Sequence, residues 1–272
     1  MTTSATSQPA AAGAESDAAE KRRIVSEEAT SVLRDEFDHD LGVSYGPHPK
    51  QVFDCYYPAE ATNASVMIFL HGGGFRLGSP GPVAYYGRPI LKAGGVFVSL
   101  GYRLAPEVRF PDTTEDAELG LVAIGEAVRA KGANGDSMHL SGHSAGASLA
   151  ALAALRPQTP ATKSIAGLVL VSGMYNDSVR SPEIENHESS RYVPDLTKVL
   201  EHTPPKTIVI AGDRDLPAVM PAALAIIDAI QAADGTVEFF VEEDADHFEA
   251  IRGFATAGTP TATAVLEMMG LA

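Results

Sequence analysis

Short apolar runs alternate along the chain with longer segments in which apolar residues recur at helical spacing. The short runs predict strands near residues 51–57, 66–70, 95–100, 136–141, 166–172, 207–211 and 236–242. The longer segments predict helices near 82–93, 114–131, 145–155, 218–233 and 260–270. Strands that alternate with helices indicate an α/β fold, with a doubly wound, mostly parallel sheet and helices on both of its faces.

The amino-terminal region and the stretch 175–194 lie outside this alternation of strands and helices. Residues 1–16 are rich in Ala, Ser and Thr, and we expect them to form a disordered tail before a single domain over 17–272. A helix is predicted within 17–40, where apolar residues lie close to helical spacing at Ile24, Val25, Ala29, Val32, Leu33 and Phe37. This helix would cover a functional site or pack on the core. The polar stretch 175–194 predicts a short cap.

A G-x-S-x-G pentapeptide, Gly142 to Gly146, stands between the strand predicted at 136–141 and the helix predicted at 145–155. A serine hydroxyl is a weak nucleophile, so an enzyme that uses one must hold it exposed and beside a base. A sharp strand-to-helix turn does this, and glycines on both sides leave room for the tight backbone. The pattern predicts that Ser144 is a nucleophile. A glycine-rich turn with an idle serine is the structural alternative.

A second motif, His71-Gly72-Gly73-Gly74-Phe75, follows the apolar run 66–70. Three glycines after a strand let backbone N–H groups converge, as an oxyanion hole requires when a carbonyl becomes tetrahedral. We predict that the N–H groups of Gly73, Gly74 and Ala145 form this hole. Phosphate and dinucleotide loops have other glycine spacings, which are absent here.

These motifs, with Tyr102-Arg-Leu-Ala-Pro-Glu107 and Phe110-Pro111, resemble the hormone-sensitive-lipase-like esterases of the α/β-hydrolase fold. The segments 45–54 and 173–177 are similar to the arylformamidase-like branch of the same fold. The resemblance covers about residues 45–255. It departs from the lipase-like pattern at His143, where many relatives carry Asp, and at Ala147, where they carry a second glycine. Arylformamidases carry an aromatic pair where the third glycine of this chain stands.

The resemblance implies a base and an acid after Ser144, in the order acid and then histidine. His247 follows the last predicted strand, whereas His187 and His202 lie in segments that we expect to be solvated. Asp213 and Asp215 both follow the strand at 207–211. Relatives place the acid three residues after the glycine that ends this strand, which favours Asp215. Asp213 would then be a turn residue that bonds its own backbone.

Seven apolar or aromatic residues near these motifs are candidates for lining a substrate pocket. Simple packing explains each of them equally well. They are Phe75, Leu77, Tyr85, Tyr86, Tyr175, Tyr192 and Phe248.

The composition limits the partners. The net charge of −15 argues against nucleic acid and anionic membrane surfaces. No apolar run approaches the roughly 18 residues of a membrane helix, and the amino terminus lacks a signal-peptide pattern, so we expect a cytoplasmic protein. Cys55 is the single cysteine, and no Cys/His cluster has metal-binding spacing. We expect no metal or cofactor and a small-molecule ester or amide as the substrate. The sequence is also compatible with a homodimer.

Three functions fit this sequence. The first is a serine esterase that cleaves small or medium carboxylic esters through an acyl-enzyme. The second is an amide or formamide hydrolase of the arylformamidase kind, which differs in its leaving group because a departing amine must be protonated. The third is a non-catalytic binding module on the same fold.

Overall fold

The computed structural model describes residues 8–156, 159, 162–175, 195–198, 200 and 202–272. At residues 8–19, 110 and 111 it describes only the backbone. Its strands form a single sheet. In chain order the strands are β1 (Asp38–Ser44), β2 (Val52–Tyr57), β3 (Val66–Leu70), β4 (Val96–Leu100), β5 (Met138–His143), β6 (Ile165–Val171), β7 (Lys206–Gly212) and β8 (Val237–Glu242). Their order across the sheet is β1-β2-β4-β3-β5-β6-β7-β8. β1 and β2 are antiparallel to their neighbours, and the strands from β4 to β8 are parallel. The predicted mostly parallel sheet is confirmed.

Helices cover both faces of this sheet. They are α1 (Gln8–Glu36), α2 (Arg88–Lys92), α3 (Phe110–Ala130), α4 (Ala145–Leu155), α5 (Val219–Ala232), α6 (Arg252–Ala255) and α7 (Pro260–Met268). The helix predicted near 82–93 is divided into a 3-10 segment, Gly81–Gly87, and the short α2. Pro89 stands in the first turn of α2, where its missing N–H does not interrupt a helical hydrogen bond.

The core has two layers because successive residues of a strand point to opposite faces. In β3, Val66, Ile68 and Leu70 pack with α3, α4 and α5 on one side. Met67 and Phe69 pack on the other side, against residues of α1, α2, α6 and α7. Every residue of β3 is buried, and so is every residue of the Ala-rich α4. The apolar runs therefore mark strands that are covered on both faces.

The amino-terminal boundaries differ from those predicted. α1 begins at Gln8, so residues 8–16 are helical rather than a disordered tail, and the four alanines among them favour a helix. The helix ends at Glu36, and residues 38–44 form the unpredicted edge strand β1. This strand lacks apolar alternation. It forms through backbone pairing with β2, and the Gly42 N–H also donates to Asp54 Oδ1 at 2.8 Å.

Only part of the apolar face of α1 is buried. Leu33 lies fully in the core, and Thr30 Oγ1 donates to the Gly81 carbonyl at 3.0 Å. Ile24, Val25 and Val32 are exposed. The carboxyl-terminal part of the helix thus lies along the 3-10 segment. The predicted cap at 175–194 falls, from residue 176 onward, outside the described residues.

Within the part of the chain that the structure describes, no helix is both long and apolar enough to cross a membrane.

Candidate active site

Ser144 occupies a tight turn between β5 and α4. Its backbone has φ 56° and ψ −122°, a combination that side chains rarely adopt, and its N–H donates to the Val171 carbonyl at 2.8 Å. A Cβ atom on Gly142 would collide with the Gly146 backbone, and one on Gly146 would collide with the Leu70 carbonyl. Both glycines of the pentapeptide are therefore required by close backbone packing.

Three side chains that follow three different strands form a continuous hydrogen-bonded chain. His247 Nε2 lies 2.9 Å from Ser144 Oγ, and His247 Nδ1 lies 2.7 Å from Asp215 Oδ1. Ser144 follows β5, Asp215 follows β7 and His247 follows β8, so all three meet at the carboxyl edge of the parallel strands. His247 is only 8% exposed, and it is not the solvated surface histidine that an acidic loop would suggest.

The Asp215 carboxylate accepts four hydrogen bonds. Besides His247, the Leu216 N–H donates to Oδ1 at 2.7 Å, and Oδ2 receives the Ser172 hydroxyl at 2.5 Å and the Gly212 N–H at 3.3 Å. Burial alone would raise the pKa of the Asp215 carboxyl, but the hydrogen bonds from His247 and Ser172 outweigh it and hold this pKa below its usual value. Asp215 is therefore ionised at neutral pH.

Ser172 is a member of the site that sequence reasoning missed. It is buried at the end of β6 and has φ 52°. Apart from its position one residue beyond a buried apolar run, the sequence carries no signal that marks it.

Asp213 has a structural role in the turn after β7. Its Oδ1 accepts the Ala245 N–H at 3.0 Å, and the neighbouring Arg214 N–H donates to the Ala245 carbonyl at 3.0 Å. The sequence predicts that Asp213 bonds its own turn. In the structure its carboxylate also ties the β7 turn to the segment that leads to His247.

The glycine-rich loop after β3 is tightly folded. Gly73, Gly74 and Phe75 have φ values of 116°, 60° and 59°, and both the Arg76 and Leu77 N–H groups donate to the Gly73 carbonyl at 3.0 Å. A Cβ on Gly73 would collide with the Leu77 backbone. Glycine at position 73 is thus needed both for the positive φ and for the space.

This loop passes directly against the nucleophile turn. A Cβ built on Gly72 would lie 3.2 Å from Ser144 Cβ. Directly after Ser144, α4 begins at Ala145, whose N–H lies in the first helical turn and therefore has no acceptor inside the helix. The glycine-rich loop and the amide of Ala145 thus both lie next to Ser144.

His71 anchors the base of the loop. Its Nδ1 lies 2.8 Å from the Gly72 carbonyl, and its ring stacks on Tyr102 at 4.4 Å between centroids. The Tyr102 hydroxyl donates to the His71 carbonyl at 2.6 Å. Burial lowers the pKa of His71 to about 4, so the ring is neutral at physiological pH. These contacts fix the position of the first residues of the glycine-rich loop.

Phe248 and Leu77, two of the predicted pocket residues, offer surface beside the site. The half-exposed ring of Phe248 lies edge-on to the His247 ring at 5.5 Å, and the Arg22 guanidinium of α1 lies 4.1 Å above the Phe248 ring. Leu77 is 72% exposed. The amino-terminal helix therefore reaches the residue next to His247.

The other predicted pocket residues are placed differently. Phe75 and Tyr175 are buried in the core. The rings of Tyr85 and Tyr86 are 4.4 Å apart between centroids. Tyr86 also packs edge-on to Phe69, in the core layer that lies against α1, α2, α6 and α7. Tyr192 lies outside the described residues.

No group of three or more His, Cys, Asp or Glu side chains is arranged to hold a metal ion in the described ranges. His202, expected to be solvated, is half-buried, with Nε2 3.2 Å from the Ala154 carbonyl. His187 falls outside these ranges.

Comparisons with known proteins agree with this architecture. Residues 67–200, which include the glycine loop and the serine turn, match a family model described as the alpha/beta hydrolase fold. A solved structure of esterase B from Lactobacillus rhamnosis superposes with a TM-score of 0.74 at 18% identity, covering 97% of this chain and 96% of that one. The chain has the α/β-hydrolase fold.

Sequence relatives of this chain include proteins named for two activities. A kynurenine formamidase of Danio rerio is 25% identical over 245 residues, which cover 85% of this chain and 82% of the relative. An esterase of Mycobacterium tuberculosis, LipC, is 28% identical over 259 residues, which cover 84% and 64%. The predicted resemblance to esterases with arylformamidase-like relatives is confirmed.

Proposed function

We propose that this α/β hydrolase is a serine esterase that cleaves small or medium carboxylic esters through an acyl-enzyme intermediate. The observation that carries the proposal is the hydrogen-bonded chain from Ser144 through His247 to Asp215. This series of hydrogen bonds gives a serine hydroxyl the adjacent, oriented base that it needs to become a nucleophile. The esterase among its relatives supports the same chemistry.

In the first half of the reaction, Ser144 Oγ attacks the ester carbonyl while His247 Nε2 takes the hydroxyl proton. Asp215 accepts the Nδ1–H of His247, which sets the tautomer with a bare Nε2 and stabilises the imidazolium that forms. The low pKa of Asp215 keeps the carboxylate charged for this purpose. The alkoxide then departs with the proton that His247 returns, and Ser144 holds the acyl group.

The negative charge of the tetrahedral oxygen needs donors that are already in place. We assign them to the N–H groups of Ala145, Gly73 and Gly74, which belong to the helix start and the loop next to Ser144. One such donor contributes about 2.7–4 kcal/mol to transition-state stabilisation. In the second half of the reaction, His247 takes a proton from water as the water attacks the acyl-enzyme. His247 then returns this proton to Ser144 Oγ as the acyl–oxygen bond breaks and the acid leaves.

Substitution of Ser144 tests this proposal. Ser144→Ala is expected to fold, to lose hydrolysis of p-nitrophenyl butyrate, and to resist a fluorophosphonate probe that labels the wild type with one adduct. Ser148→Ala is the matched control, since Ser148 lies one turn along α4 and donates to the Met174 carbonyl at 2.7 Å. It is expected to keep both properties. If the probe labels the Ser144→Ala variant as fully as it labels the wild type, Ser144 is not the nucleophile.

A formamide hydrolase is the second candidate, favoured by the kynurenine formamidase that matches 85% of the chain. The same residues would act, and His247 would have to protonate a departing amine. Parallel measurements of kcat/KM on p-nitrophenyl butyrate and N-formylkynurenine decide between the two: we expect the ester to be the better substrate. A wild type that resists the fluorophosphonate and turns over neither compound would instead be the non-catalytic module.

A further inference from the structure

His143, which precedes the nucleophile, has no part in the mechanism above, although its side chain is buried in the site. It is 8% exposed, and its Nε2 lies 2.7 Å from the main-chain carbonyl oxygen of His247. The two rings are 4.9 Å apart between centroids and tilted by 43°. The residue before the nucleophile thus holds the backbone of the base across 104 positions of sequence.

The chemistry of this contact fixes the state of the His143 ring. A carbonyl oxygen only accepts hydrogen bonds, so Nε2 carries the hydrogen and donates. Burial, with a smaller contribution from the nearby His247, lowers the pKa of His143 to about 4, so the ring is neutral and Nδ1 is bare. A neutral ring adds no positive charge beside the imidazolium that forms on His247 during the reaction.

The opposite edge of the ring faces the glycine-rich loop. A Cβ on Gly72 would lie 3.0 Å from His143 Nδ1, so the ring fills the space between that loop and the His247 segment. His143 therefore contacts three parts of the site at once: the turn that bears it, the loop predicted to supply oxyanion donors, and the base.

Hydrogen bonds reach His247 at three points, and one of them joins Nε2 to Ser144 Oγ. Asp215 holds its ring at Nδ1, while His143 holds its carbonyl. The hydrogen bonds of Asp213 and Arg214 reach only as far as Ala245, two residues earlier.

Asp246 Oδ1 accepts the Phe248 and Glu249 N–H groups, so the turn around His247 is closed within its own segment. Without the His143 contact, this turn could shift as a unit while the ring stays bonded to Asp215. A misplacement of about 1 Å in a catalytic group can cost roughly 100-fold in rate.

We propose that His143 is a positioning residue whose Nε2–H holds the main chain of His247, so that the imidazole stays within hydrogen-bonding range of Ser144. The inference rests on the proposed hydrolase function.

Two substitutions at His143 separate a hydrogen-bonding role from simple filling of space. His143→Leu keeps a side chain of similar bulk but has no donor. His143→Gln places an amide N–H at a reach similar to that of Nε2. For each variant, kcat and KM on p-nitrophenyl butyrate and the rate of fluorophosphonate labelling of Ser144 are measured, with circular dichroism as the check of folding.

We expect His143→Leu to lose about 10- to 100-fold in kcat and in labelling rate with KM changed by no more than about 3-fold, because substrate contacts remain. His143→Gln should recover to within about 5-fold of the wild type. If His143→Leu does not fold, His143→Met, which is unbranched and also lacks a donor, takes its place.

Two results overturn the inference. One is a donor-free variant that keeps wild-type kcat and labelling. The other is an equal loss in the Gln and Leu variants, which would show that only the shape of the ring matters. Both require an active wild type, whereas failure of the proposed function appears as a wild type that neither hydrolyses the ester nor reacts with the probe.

Discussion

Replacing Asp215 by Asn tests the acid of the proposed triad with almost no change in shape. The carboxylate receives two donors on each oxygen: His247 and Leu216 on Oδ1, Ser172 and Gly212 on Oδ2. An amide has one acceptor oxygen and an NH₂ group that only donates. In either orientation, the NH₂ group of the substituted side chain must therefore face a pair of former donors.

The two orientations have different consequences. If the NH₂ group faces the former partners of Oδ2, the Ser172 hydroxyl can rotate to accept, but the Gly212 N–H loses its acceptor. If it faces His247, the ring must present a bare Nδ1 and carry its hydrogen on Nε2. An Nε2 that carries a hydrogen cannot take the proton of Ser144. In both cases the negative charge that stabilises the imidazolium is gone.

The expected loss is about 10⁴-fold in kcat, as found for an Asp-to-Asn change in the triad of another serine hydrolase. This corresponds to about 5.4 kcal/mol of activation free energy. KM should change little, since the Asp215 side chain is only 2% exposed and has almost no surface to offer a substrate.

The assay is the release of p-nitrophenolate from p-nitrophenyl butyrate at saturating substrate. Asp213→Asn is the matched control: it removes a charge two residues away, and its remaining oxygen can still accept the Ala245 N–H. We expect this control to keep kcat within about 10-fold, because the Ala245 N–H keeps an acceptor. If Asp215→Asn retains more than about a tenth of the wild-type kcat, or if the two variants lose equal activity, the assignment of Asp215 is refuted.

Two further predictions concern stability. Gly146→Ala places a Cβ against the carbonyls of Leu70 and His71, so it should lower the free energy of unfolding by about 2 kcal/mol or more in urea, and an unchanged value would show that the turn can relax. Burial lowers the pKa values of His71 and His143 to about 4, below the roughly 6.5 of a free imidazole. The unfolded chain therefore binds more protons between these values, and the free energy of unfolding should fall by about 2 kcal/mol per histidine from about pH 7 to about pH 5. His143→Gln should remove about half of that fall, and a flat profile would contradict the neutral state of both rings.

The central part of the fold follows closely from local sequence. β3, β5, β6 and β7 are buried over most of their length, and apolar runs mark β3, β6 and β7, whereas β5 also carries His139 and Ser141. The turns after β5 and β7 carry the serine and the acid. Glycine marks the sharp turns because no other residue fits between the closely packed backbones. Ser144, Asp215 and His247 could be named together because each follows one of these strands or the last one.

The remaining features depend on partners that are distant in sequence. β1 has no apolar alternation of its own and exists because β2 offers it a free edge. Ser172 gains its place from an aspartate 43 residues later, and His143 from a carbonyl 104 residues later. Tyr175 resembles a pocket residue in sequence, yet it lies in the core. Local periodicity carries no information about such pairings.

The geometry of the site is set by the main chain before any catalytic side chain contributes. Beyond the ends of the strands, the ladder continues: the Ser144 N–H donates to Val171, the Ser172 N–H to Ile210, and the Asp213 N–H to Glu242, at 2.8, 2.8 and 3.1 Å. These bonds fix the spacing of the turns after β5, β6, β7 and β8 across the edge of the sheet. Side-chain contacts then set only the fine alignment of one imidazole. This is why Ser144→Ala and Asp215→Asn should remove chemistry and leave the fold, whereas Gly146→Ala, which acts on the backbone, should weaken the fold itself.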